Sequence, residues 1–204
     1  MFGEEILTPG GMQSLCAGLR SRARLLQWAL VGLCLSANAI AAAPAHFVVR
    51  DAKTVLSGEI YHLEARLEYQ LSEVAVAALE NGVSLTLVLD IEVYSPSRYL
   101  WDDVIATLEQ RYEIQYHALS EQYLLRNLNS GSQFIYSSLD DALDAMGNIN
   151  RIPILDAHLL EQNQRYKVRV RSRLDLPSLP VPLQLKAYVS SDWWLSSGWY
   201  SWDL

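Results

Sequence analysis

The chain has 204 residues, half of them apolar, and a formal net charge of −7. Its two cysteines, Cys16 and Cys34, both lie before residue 44; the remainder therefore cannot hold a disulfide framework, a cysteine nucleophile or a thiolate metal site. From residue 44 on, 13 Lys and Arg stand against 21 Asp and Glu, which makes the domain a poor non-specific binder of nucleic acid, and no nucleic-acid partner is expected.

Residues 1–43 read as a signal peptide. Arg20, Arg22 and Arg24 form a basic head, Leu25 to Ala39 an apolar core, and Ala39, Ala41, Ala42 and Ala43 a small-residue exit. Cleavage after Ala41 fits an A-x-A pattern. Export to the periplasm follows. The alternative is an uncleaved leader that anchors the chain in the inner membrane, but Gln27, Ser36 and Asn38 interrupt the apolar run, and a span takes about 20 apolar residues. Leu15 and Leu33 precede the cysteines where lipidation would need a small residue. Glu4 and Glu5 suit a leader poorly, so Met12 is the expected start. Residues 44–204 are expected to form a single β-rich domain, large enough for a real core.

A short strand is expected at 46–54. In 59–70, Tyr61, Leu63, Ala65, Leu67 and Tyr69 alternate with His62, Glu64, Arg66, Glu68 and Gln70. Ser72 can cap a helix over 73–81 that ends at Asn81-Gly82. In 83–94, Val83, Leu85, Leu87, Leu89, Ile91 and Val93 share one face; Ser84, Thr86, Asp90 and Glu92 share the other. Residues 98–106 also fit a helical spacing and are read as loop, then strand. The segment 106–118 alternates again, and strands at 122–128 and 132–137 flank the turn Asn129-Ser130-Gly131. Ser138 can cap a helix over 139–146, with Asp141 in the capping-box position and Gly147 as the stop. In 165–174, Tyr166, Val168, Val170 and Leu174 alternate with five cations. Leu176 to Pro182 carries three prolines and reads as an extended polyproline-type strip over the surface.

Strands that are apolar on one face and charged on the other belong to antiparallel sheets with one wet side. They do not suit a lipid-facing barrel. Two such sheets make a sandwich and one closed sheet makes a barrel. The expected fold is mainly β: an antiparallel β-sandwich, immunoglobulin-like or related, with two short helices.

Two features are candidates for binding. Arg165, Lys167, Arg169, Arg171 and Arg173 fall on one strand face about 6.7 Å apart. They could form a stripe for an anionic partner: an acidic protein segment, a phospholipid headgroup or a glycan acid. They could equally form a cross-strand ladder with Glu64, Glu68, Asp90, Glu92, Glu109 and Glu113, a reading favoured by the abundant counter-charge. Trp193, Trp194, Trp199 and Trp202, with Tyr200, crowd the tail. They could line a partner surface, sit at a membrane interface or pack on the sandwich, the last being favoured.

Other constellations carry less. Asp140, Asp141 and Asp144 suit the first turn of a helix and lack the EF-hand pattern. Asp102-Asp103 beside Trp101 could mimic a carbohydrate site. His46, His62, His117 and His158 form no close metal pair, and Asp156-Ala157-His158 is unspecific. There is no nucleophile elbow, phosphate loop or dinucleotide fingerprint. No catalytic residue, metal or cofactor is assigned.

Four segments together carry a family resemblance: LSEVAVAALENGVSLTLVLDIEV at 71–93, RYEIQYHALSEQYLLRNL at 111–128, RYKVRVRSRLDLPSLPVP at 165–182 and SSDWWLSSGWYSW at 190–202. The chain resembles an uncharacterised family of exported proteobacterial proteins, a domain of unknown function, some of whose members are named proline-rich signal peptide protein. The resemblance spans nearly the whole chain after the leader and brings no activity or functional residues. The neighbourhood of its members implies a link to a sensor histidine kinase. The expected function is that of a non-catalytic envelope protein that binds a partner, a sensor kinase or another membrane protein. The alternative is a carrier of a lipid or other apolar ligand. A third reading is an envelope-glycan hydrolase using Asp102, Asp103 or Glu109.

Overall fold

The structure, a computed structural model, describes residues 46–97 and 101–204. The leader reading and its cleavage site lie outside the described residues, as do residues 98–100.

In chain order the elements are β1 (His46–Ser57), β2 (Ile60–Gln70), α1 (Glu73–Glu80), β3 (Leu85–Ser95), β4 (Asp103–His117), β5 (Gln122–Asn127), β6 (Gln133–Tyr136), α2 (Leu139–Gly147), β7 (Asn148–Asp156), β8 (Lys167–Leu174), α3 (Val181–Val189) and β9 (Tyr200–Asp203). They build a three-stranded sheet, β1-β2-β7, and a six-stranded sheet, β6-β5-β4-β3-β8-β9. Every strand pair is antiparallel. The alternating segments became the strands that their spacing predicts, because each has one face to bury. A two-residue turn carries β1 into β2, with Gly58 at φ +65° supplying the left-handed conformation such turns require.

The two sheets face each other over only part of the larger one. Val49, Leu63, Leu67, Ile149 and Ile154 of the small sheet pack on Leu89, Ile91, Val93, Val168 and Val170 of the large one. The same inner face continues through Leu85, Leu87, Ile114 and Leu125. There helices take over, with Ala75 and Leu79 of α1, Ala142, Leu143 and Met146 of α2, and Ala187 of α3. The product is a β-sandwich whose second layer is half sheet and half helix.

The caps form as expected. Ser72 Oγ accepts from the Ala75 N–H at 3.2 Å, and Ser138 Oγ accepts from the Asp141 N–H at 3.1 Å. Gly147 ends α2 against β2. A side chain there would collide with the Leu67 carbonyl, so only glycine lets the helix lie so close.

Three elements depart from the sequence reading. β7 was not foreseen: a bulge with Arg151 at φ +52°, followed by Pro153, destroys its alternation. The end of the tail pairs with β8 as β9. The proline strip is not extended throughout; it forms a short 3-10 turn at Leu176–Ser178 and then opens α3, with proline in the first turn. At that position the missing N–H costs no helical hydrogen bond, so a residue pattern read as a spacer is a helix start.

Candidate functional site

The cation stripe of β8 lies opposite β3, itself flanked by β4. Register places Asp90 opposite Arg171, Glu92 opposite Arg169, and Val88 between Arg173 and Arg111. Asp90 is only 6% exposed. Its Oδ2 accepts from Arg171 Nη2 at 2.8 Å and from Arg173 Nε at 2.9 Å. Glu92 accepts from Arg169 Nε at 2.7 Å. Lys167 pairs with Asp203 at 3.2 Å across to β9. Toward the other edge, Arg173 reaches Asp175 at 3.4 Å and Glu109 at 3.6 Å. Arg111 bridges Glu109 and Asp175, and Arg126 pairs with Glu113. The hydrogen bond to Asp90 holds the Arg173 guanidinium above its ordinary range.

Aromatic rings cover the flat faces of two of these guanidiniums. Arg169 lies 4.7 Å from the Tyr94 ring centroid and 4.9 Å from that of Trp199, and Arg171 lies 4.5 Å from Trp199. In Arg169 and Arg171, carboxylates take the edges of the fork and rings take the faces. The stripe is thereby a cross-strand ladder, in which Lys167, Arg169, Arg171 and Arg173 all have counter-charges; of the acids expected in it, Glu64, Glu68 and Glu113 pair instead with Lys53, Arg50 and Arg126. Arg165 lies just before β8, exposed. Sequence reasoning missed Asp175, Arg111, Tyr94 and the stacking of Trp199. The first two follow from strand register, which spacing alone does not set.

The tryptophans separate by role. Trp193 is 3% exposed and belongs to the core beneath α3. Trp202 packs between the sheets, and its Nε1–H donates to Thr54 Oγ1 at 2.8 Å, which ties β9 to β1. Trp199 lies over the ladder. Trp194 is 66% exposed, held by an Nε1–H bond to the Ala187 carbonyl at 3.0 Å.

Trp194 adjoins a surface that the sequence reading did not single out. α3 buries Ala187 and packs Leu183 against the core. Its opposite face exposes Val181, Leu185, Tyr188 and Val189, with Leu185 at 72%. These lie at i, i+4, i+7 and i+8, the spacing of an apolar helix stripe, but here the stripe faces outward. Tyr188 and Trp194, with Leu174, Leu176 and Leu195, also line an open groove of about 310 Å³. The spacing was legible in the sequence; the prolines before it directed the reading elsewhere.

Several of the remaining candidates are engaged locally. Asp102 pairs with Arg169 at 3.6 Å, and Glu109 pairs with Arg111 and Arg173. Asp141 accepts from the Ser138 hydroxyl, and Asp144 pairs with Arg66. Asp156 accepts from the backbone N–H and ring of His158, and these bonds hold its carboxyl below the usual range. Among the described residues no group of three or more His, Cys, Asp or Glu is placed to hold a metal. Burial raises the phenols of Tyr69 and Tyr112 above the ordinary tyrosine range. Among the described residues no helix is long and apolar enough to cross a membrane.

Fold and surface together define a mainly β, antiparallel sandwich domain with a self-paired charged face and one outward apolar helix. The chain belongs to the family described as Domain of unknown function (DUF4390), which matches residues 45–203. No curated protein and no solved structure matches it.

Proposed function

We propose that this protein is a non-catalytic, partner-binding module of the cell envelope, exported by its leader to the periplasm and accessory to a membrane protein such as a sensor kinase. The observation that carries the reading is the outer face of α3, where Val181, Leu185, Tyr188 and Val189 join Trp194 in the solvent. Helices that cover a core ordinarily turn polar residues outward, as α2 does with Asp140, Asp141 and Asp144. A contiguous apolar patch with exposed aromatic residues marks an interaction surface, and an outward apolar helix stripe suits a partner's groove.

The alternatives draw less support. Where the two sheets face each other, the space between them is filled by Leu63, Leu89, Ile91, Val93, Val168 and Val170, which gives the lipid-carrier reading less support. Of the carboxylates of the glycan-hydrolase reading, Asp102 and Glu109 are held in ion pairs and Asp103 is exposed at the start of β4, so they are not gathered into one site.

The test is in-cell photo-crosslinking from position 185, with position 169 as the comparison. A discrete membrane-protein adduct from 185, absent from 169, is expected. Lipid adducts from 185 would favour the carrier. The absence of any adduct, in a folded and exported protein, would reject the reading.

A further inference from the structure

A second surface lies away from α3. The small sheet has three strands against six, and β7 is its edge on the side toward β4, β5 and β6. Beside β7 runs an open groove of about 420 Å³, floored by the inner faces of β4–β6 and lined by Gln110, Tyr112, Asn127, Phe134, Asn148 and Asn150 among others.

Two properties set this groove apart. Phe134 is paired in register with Leu125, so both side chains point to the core side of the sheet. Leu125 is 5% exposed, yet Phe134 is 58% exposed. The inner face of the large sheet is therefore uncovered where the small sheet stops short. In addition, none of the described residues lining the groove is charged, in a chain of which 19% of residues are charged.

We propose that this groove receives an extended, uncharged polypeptide segment of a partner, laid beside β7 as a fourth strand of the small sheet. An unpaired strand edge presents alternating N–H and C=O groups, and extended backbone answers both. Strands in a sheet lie about 4.8 Å apart, and packed sheets about 10 Å. A segment beside β7 at that spacing would cover the floor that exposes Phe134. Its inward side chains would meet Phe134 and Tyr112, where a charge would be buried with no counter-charge. The edge is restricted: the bulge at Arg151 and the absent N–H of Pro153 interrupt it, which discourages indiscriminate pairing. Backbone pairing is thus confined to Ile149 and Asn150, because the Asn148 N–H already donates to the Asp144 carbonyl, and the side-chain amides of Gln110 and Asn150 supply further hydrogen bonds. This inference is independent of the α3 reading.

The probe is an array of uncharged peptides of about seven residues, the length of an ordinary strand, alternating Val, Thr or Phe with Asn, Gln or Ser. A matched array carries Lys or Glu at the inward positions. Binding of the purified full chain is read by fluorescence anisotropy. Neutral peptides are expected to bind and charged ones to fail. Phe134→Ser and Asn150→Asp should each weaken binding about tenfold, or 1.4 kcal/mol, while Ile135→Ser, on the opposite face of the same strand, should leave it unchanged. Bound peptide should slow amide exchange at Ile149 and Asn150. Absence of neutral-peptide binding, equal binding of the charged array, equal effects of Ile135→Ser and Phe134→Ser, or displacement of the peptide by neutral oligosaccharides would each overturn the proposal.

Discussion

The charged face of β8 and the outer face of α3 make opposite use of their residues. The first carries four consecutive cations and has the sequence of a binding stripe, yet Asp90, Glu92, Glu109, Asp175 and Asp203 answer those cations and Trp199 and Tyr94 cap two of them. The second reads as a proline spacer, yet it is a helix with its apolar stripe turned outward. Groups that meet their partners within the fold contribute to stability and specificity of register; groups turned outward, as on α3, are the ones that the proposed function assigns to association. Density of charge in a sequence therefore indicates a binding site only after the neighbouring strands are known.

Several substitutions break or sharpen this contrast. Asp90→Ala has the largest expected effect, because it leaves Arg171 and Arg173 half-buried without their shared carboxylate. A loss of about 3 kcal/mol in urea unfolding is expected. Gly147→Ala forces α2 away from the Leu67 carbonyl and should cost about 2 kcal/mol by the same measurement. Trp199→Ala removes the ring over Arg169 and Arg171 and should cost about 1 kcal/mol, a loss that Trp199→Phe should partly restore. At the other extreme, Leu185→Ser on α3 should change stability by less than about 0.5 kcal/mol while abolishing crosslinking from neighbouring position 181. If Leu185→Ser proved as destabilising as Asp90→Ala, α3 would be part of the fold's interior economy and the contrast would disappear.

Legibility in the sequence followed the physics of each segment. β2, β3, β4 and β8 alternate because each has one face against the core, and both helix caps are local hydrogen bonds that need no tertiary information. β7 escaped notice because its bulge and proline erase the period. The outer face of β3 was expected to be wet, but Thr86, Val88 and Asp90 are buried there. Long arginine side chains from β4 and β8 lie across that face, their stems covering apolar surface while their heads reach carboxylates. α3 was obscured by prolines whose meaning depends on whether they precede or interrupt a helix. Of the nine residues singled out as candidate sites, four are cations of the ladder, Trp193 and Trp202 are packing residues, and Trp199 stacks on the ladder. Trp194 joins the apolar face, and Arg165 stands beyond the strand.

The most direct measurement is equilibrium urea unfolding of R169E/R171E beside L185E/W194E. The first pair sets new carboxylates against Glu92 and Asp90 and is expected to lose most of the protein's stability. The second adds charge to an already solvated face and is expected to keep the wild-type midpoint. A stable R169E/R171E together with an unfolded L185E/W194E would contradict the assignment of the charged face to structure and the apolar helix to binding.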